Sequence, residues 1–163
     1  LPAVIPNENL GSMPSCEGVT VSPRPTQVVM LEYLEAYKGD ALLGRVYQAS
    51  ADVSGDPPLD PEQGVSGVVW IYAAKPVKVY GRCADALGGQ APFRVPVTLD
   101  VKLKAGWNAV IVSLSDFSDT SIELDISTGV APANVRWLFD DSYALSALKL
   151  KLALHKLRQV FTW

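Results

Sequence analysis

One histidine, His155, is all the imidazole this chain has. Catalytic zinc and copper centres draw several nitrogen or sulfur ligands from the protein, so none can be assembled here from histidine. His155 stands among Lys149, Lys151, Lys156 and Arg158 and reads as a surface residue. Serine chemistry is equally short of parts. In Gly64-Val65-Ser66-Gly67 the second glycine comes one residue too early for a Gly-x-Ser-x-Gly elbow, and the motif precedes a strand pattern instead of following one.

Carboxylates gather in one loop and beside aromatic residues. Asp52, Asp56, Asp60 and Glu62 lie in a proline-rich stretch whose oxygen ligands, Asp56, Asp60 and Glu62 above all, would suit a weak Ca²⁺ site. The spacing matches no EF-hand, and a solvated acidic loop is the plainer reading. Asp140 and Asp141 follow Trp137 and Phe139, and Asp116 and Asp119 flank Phe117. Paired carboxylates beside aromatic rings are what glycoside hydrolysis uses, but adjacent aspartates after a strand are also ordinary turn residues. No catalytic residue is assigned, and the balance leans away from an enzyme.

The two cysteines, Cys16 and Cys83, are too few and too far apart for a zinc site. A Cys16–Cys83 disulfide is expected, pinning the N-terminal segment to a central strand. It would contribute on the order of 4 kcal/mol by chain entropy and implies an oxidising compartment. Aromatic residues supply the remaining candidates. Trp70 and Tyr72 fall on one face of a strand, and Trp107 sits at a turn; each could contact a sugar or a protein partner. The core is the plainer place for Trp70 and Trp137, and also for Trp107, since a residue beside a turn glycine often folds back onto the sheet. The basic residues Lys149, Lys151, Lys156 and Arg158 concentrate near the C-terminus. They form either a docking face or the solvated side of an edge strand.

The elements that must position these residues are strands. Hydrophobic residues make up 48% and charged residues 19% of the 163, enough for one folded domain with a real core. The net charge of −3 argues against a nucleic-acid partner, and no apolar run reaches the length of a membrane span. Residues 1–17 read as an extended arm and 18–163 as a single domain. Short alternating runs are predicted at 18–22, 27–37, 42–49, 68–73, 77–82, 121–127 and 135–139. Residues 51–67 form the longest loop. The clearest signal is Val97 to Leu114, two alternating runs around Lys104-Ala105-Gly106-Trp107, which predicts a β-hairpin with Gly106 and Asn108 making the turn. Ala147 to His155 carries helix-forming residues, yet Leu148, Leu150, Leu152 and Leu154 alternate with Lys149 and Lys151, so it is read as a strand. The fold class expected is all-β, an antiparallel sandwich of 8–10 strands, with a closed barrel as the alternative.

The tract Val77-Lys78-Val79-Tyr80-Gly81-Arg82-Cys83, followed by Leu99 to Val110, resembles secreted or envelope-anchored bacterial β-sandwich proteins. In these a run ending in Gly-x-Cys precedes a Leu-Lys-x-Gly-Trp-Asn-x-Val hairpin. The pattern is structural and brings no catalytic residue with it. It implies a bacterial domain outside the cytoplasm, in the periplasm, the cell envelope or the medium. The start at Leu1 leads us to expect a removed signal peptide or a truncation. The function expected is a structural or accessory subunit of a larger surface assembly, with other envelope proteins or its own copies as partners. A carbohydrate-binding module that takes polysaccharide is the alternative. A superoxide dismutase-like redox protein, its metal site incomplete or shared between subunits, stands below both. No cofactor is expected apart from the weak Ca²⁺ already mentioned.

Overall fold

The computed structural model describes residues 19–22, 28–51, 64–85, 94–115, 118 and 120–140. Their secondary structure is all β, with no helix among them. Ten strands run in chain order: β1 (Thr20–Ser22), β2 (Val28–Leu31), β3 (Leu34–Lys38), β4 (Ala41–Ala49), β5 (Val65–Ala73), β6 (Val77–Cys83), β7 (Val97–Leu103), β8 (Gly106–Ser115), β9 (Glu123–Thr128) and β10 (Arg136–Asp140). They form one sheet in the order β1-β6-β7-β9-β8-β5-β4-β10, with β2 also on β5 and β3 also on β4. The path begins at β1 and ends at β10, so the sheet does not close into a barrel.

Period-two alternation sends one set of side chains to a common core. Val77 and Val79 of β6, Val101 of β7, Val110 and Val112 of β8, Leu124 and Ile126 of β9 and Ile71 of β5 are all essentially inaccessible to water. They belong to one cluster that takes in β1 and β4 through β9. A single core fed from both halves means that the sheet folds over on itself, as the layers of a sandwich do. Each such side chain stabilises the fold by about 1.5–3 kcal/mol of transfer free energy.

The predicted hairpin needs correction. Its two strands and its turn are present, but β7 and β8 are not partners. β9 lies between them, parallel to β7 (Val97↔Leu124 to Asp100↔Ser127) and antiparallel to β8 (Val110↔Thr128 to Ser115↔Glu123). The sheet is therefore not wholly antiparallel. The corner itself is built as the residues suggest. Gly106 takes a positive φ of 97°. The Asn108 Oδ1 accepts from the Lys104 amide at 2.8 Å, and its Nδ2 donates to the Lys104 and Gly106 carbonyls, each at 2.8 Å. β9 stops inside this corner, where the Thr128 hydroxyl accepts from the Lys102 amide at 2.9 Å.

The apolar run 27–37 is also two strands, not one. β4 and β5 pair through only Gln48↔Val68 and Ala49↔Gly67 before they diverge. The chain 28–38 fills the fork: β2 continues along β5 (Leu31↔Trp70 to Val28↔Ala73), and β3 continues along β4 from Leu34↔Val46. On the far side of β4, β10 pairs from Arg136↔Ala49 to Asp140↔Arg45. Gly44 makes that approach feasible. A Cβ there would collide with the Asp140 carbonyl oxygen and come within 2.7 Å of the Phe139 ring. The predicted strand Ala147 to His155 lies outside the described residues.

Candidate interaction face

The side chains that point away from the core divide by position in the sheet. On β4, β5, β8 and β10 the register aligns Trp137, Gln48, Val68 and Ile111 in one row. Leu34, Val46 and Phe139 form a second. Leu31, Trp70 and Ala109 form a third, and Val29, Tyr72 and Trp107 a fourth. None of these residues is ionisable near neutral pH. Trp107 is 54%, Trp137 53%, Phe139 52%, Leu34 47% and Tyr72 40% exposed. The charges carried by the same strands are turned to the other side by alternation. Arg45 lies over the Tyr33 ring at 4.4 Å and 3.9 Å from Glu35, and Asp140 is buried.

Two contacts fix the aromatic rings. The Trp70 Nε1 donates to the Gln48 Oε1 at 3.0 Å, spanning the fork between β4 and β5. Tyr72 and Trp107 meet edge to face with ring centroids 5.6 Å apart, a geometry that aromatic quadrupoles favour. A shallow groove lies at the fork, lined by Leu31, Glu32, Leu34, Val68, Trp70 and Trp137 among others. Val68 and Ile111 are buried yet stand apart from the main core. This outer face therefore carries a thin apolar layer of its own. At the far end of the same strands it turns polar, where the Ser66 and Ser113 hydroxyls bond each other at 2.9 Å.

On β9, β7, β6 and β1 the outward residues are of another kind: Glu123, Asp125 and Ser127, then Thr98, Asp100 and Lys102, then Lys78, Tyr80 and Arg82, then Thr20 and Ser22. Asp100 and Lys102 pair at 3.0 Å with both side chains mostly in water. At the margin of the apolar half, the Tyr37 hydroxyl donates to the Glu35 carboxylate at 2.8 Å. This bond chiefly, with lesser help from desolvation and the Glu35 charge, raises the phenol's pKa above its ordinary value.

The structure thus brings together Trp70, Tyr72 and Trp107, three of the residues singled out from sequence. It corrects the placement of Trp137 and Trp107, which are half exposed on the outer face and not in the core, and of Trp70, which sits on the outer face with them. Phe139 and Leu34 escaped notice. The signal was present in Trp137-Leu138-Phe139, where alternation must put one set outside, and the single Leu138 went inward against the core. Cys83 is buried and is not a free thiol. Cys16, the carboxylates Asp56, Asp60 and Glu62, and the basic group Lys149, Lys151, Lys156 and Arg158 with His155 lie outside the described residues. Among the described residues no three His, Cys, Asp or Glu side chains converge as metal ligands, and no helix is long and apolar enough to cross a membrane. No family model, curated protein or solved structure matches this chain.

Proposed function

We propose that this domain is a non-catalytic accessory subunit of a bacterial cell-envelope assembly, outside the cytoplasm, which docks a protein partner on the aromatic half of its sheet. The observation that carries this reading is the contrast on the outer face, with ionisable residues on one half and none on the rows of the other. Depletion of charge together with exposed Trp, Tyr and Phe is the compositional mark of a protein interface core, and such residues supply most of the binding energy. The extracytoplasmic placing is supported by the resemblance through residues 77–110.

Carbohydrate binding is the second reading, favoured by Trp70, Tyr72 and Trp107 standing on one face. Sugars need many hydrogen bonds as well as rings to stack on. This face offers few such groups, and the Gln48 carbonyl oxygen already accepts from Trp70. The aliphatic Leu31, Leu34 and Val46 suit a protein surface better.

The test is a photoreactive phenylalanine analogue in place of Tyr72 in the native host. Illumination should give adducts of the domain with a protein, and the same analogue in place of Tyr80 should give few. The absence of any protein adduct from Tyr72 would overturn the reading. Isothermal calorimetry against cell-wall polysaccharides decides the alternative, which needs measurable heat that a Trp107→Ala variant abolishes.

A further inference from the structure

Resting on the docking reading, we propose that a segment following β10, residues 147–157, occupies the groove of the aromatic half until a partner displaces it. Charge divides the chain unevenly. Lys149, Lys151, Lys156 and Arg158 against the single Asp141 give residues 141–163 a net charge of +3, which leaves −6 on residues 1–140 out of the total of −3. Such a division draws the basic tract onto the acidic body. On the aromatic half the acid is Glu32, which lines the groove at the fork with Leu31, Leu34, Trp70 and Trp137. Within the segment, Leu148, Leu150, Leu152 and Leu154 alternate with Lys149 and Lys151. Laid extended over the groove, the segment turns its leucines onto the rings and keeps its lysines at the surface, where their long stems reach Glu32. A second copy of the sheet would instead bring another Glu32 and another acidic body to the same place.

The course of β10 brings the segment within reach. The strand runs from Arg136 opposite Ala49 to Asp140 opposite Arg45, so the chain leaves it just past Phe139, at the margin of the aromatic half. The groove opens one strand further in, where β4 and β5 part after Gln48↔Val68 and Ala49↔Gly67. Two strand spacings, about 10 Å, separate it from β10. Residues 141–146 can span about 20 Å, enough to turn back and set Leu148 over the groove. Parting strands leave room for one extended chain and not for a second sheet. The short tether also raises the segment's effective concentration at the face to the millimolar range. A few buried leucines therefore suffice to hold it, and a partner with better contacts can still replace it.

The test uses the purified full chain at submicromolar concentration, with a photoreactive phenylalanine analogue in place of Leu34, which is 47% exposed at the groove. Illumination should join position 34 to residues 147–157. Mixing isotopically labelled with unlabelled chains should show that both ends of the adduct belong to one molecule. The same analogue in place of Tyr80 should give no such adduct. Leu150→Asp with Leu152→Asp should lower the yield by about tenfold or more. Lys149→Ala with Lys151→Ala should lower it by about threefold at low ionic strength and less in high salt. Thermal unfolding of each variant shows that it is folded. No adduct to 147–157, an adduct only between two molecules, or a yield indifferent to the leucine substitutions overturns the proposal. In the native host, capture of a protein through the Tyr72 analogue should rise in the Leu150→Asp, Leu152→Asp variant, because the competing segment is gone. Capture from Tyr72 without the Leu34 adduct in the purified chain retires self-occupancy and leaves docking intact. The Leu34 adduct with no protein captured, in the wild type and in the leucine variant alike, ends docking and with it the displacement.

Discussion

The two halves of the outer surface stand on the same kind of alternating core and differ in their outer side chains. β5 and β8 on one half, and β6 and β7 on the other, alternate with the same period over the same kind of valine and leucine core. On the β6–β7 half, Lys78, Arg82, Asp100 and Lys102 fill the outward positions, and the strands are no less well buried beneath them. The fold therefore does not require Trp70, Tyr72, Trp107, Trp137 and Phe139 outside. Water accepts the charged half at little cost, while the aromatic half keeps a large apolar surface in contact with solvent. An exposed patch of this sort marks an interaction site.

That contrast can be broken most severely at Gly44. A methyl group there meets the Asp140 carbonyl and the Phe139 ring, so Gly44→Ala should detach β10 from β4 and cost about 2–3 kcal/mol by overpacking. Denaturant unfolding gives the energy. Amide exchange should rise around residues 136–140 while β6 and β7 stay protected; equal loss in both halves would show that they are not separable. Trp70→Phe is milder. It removes the indole donor to Gln48 across the fork and should cost about 1 kcal/mol, read from the same unfolding curves.

On the charged half, Asp100→Asn should change stability by less than about 0.5 kcal/mol, because the pair with Lys102 lies in water and is screened. A loss well above that would mean that this half is as finely fitted as the other. The smallest effect is expected at the margin. Glu35→Gln should lower the pH at which Tyr37 ionises, followed by ultraviolet absorbance, because the carboxylate that raises it is gone. The folded state favours the neutral phenol. Its contribution is therefore complete below the unfolded phenol's pKa and is lost as pH rises through the higher folded value. An unchanged titration would remove Glu35 as the cause.

Much of this was legible in the sequence. Alternation located nearly every strand, including the turn residues Gly106 and Asn108, because one-sided burial imposes a period of two wherever it occurs. Pairing was harder. Nothing local in Val97 to Leu114 announces that β9 separates its two runs, since adjacency in the sheet is decided by residues 27 positions away (Leu99↔Ile126). The outer aromatics were misread for a related reason. In Val68-Val69-Trp70-Ile71-Tyr72-Ala73 both alternating sets are apolar, so hydrophobicity cannot choose the buried one. Size points the wrong way, because the small Ala73 and the branched Val69 and Ile71 fit the core and the bulky rings do not. Only the sheet as a whole shows that Trp137 and Phe139 join the same surface from a strand far along the chain.

The position of β9 also bears on how the molecule comes to exist. Without it, the hydrogen-bonded framework is two separate pieces: β1, β6 and β7 in one, and β8, β5, β4 and β10 with β2 and β3 in the other. The only covalent hinge between β7 and β8 is the Lys104–Asn108 corner. That hinge has to stand open until a strand made later in the chain arrives between its arms, and the parallel contact with β7 closes a long loop, a slow class of event. Insertion of β9 is thus expected to be the late, rate-limiting step. In pulse-labelled hydrogen exchange during refolding, the amides of 123–128 should gain protection after those of β5 and β6. Protection there ahead of β5 would mean instead that β9 is the template on which both halves assemble.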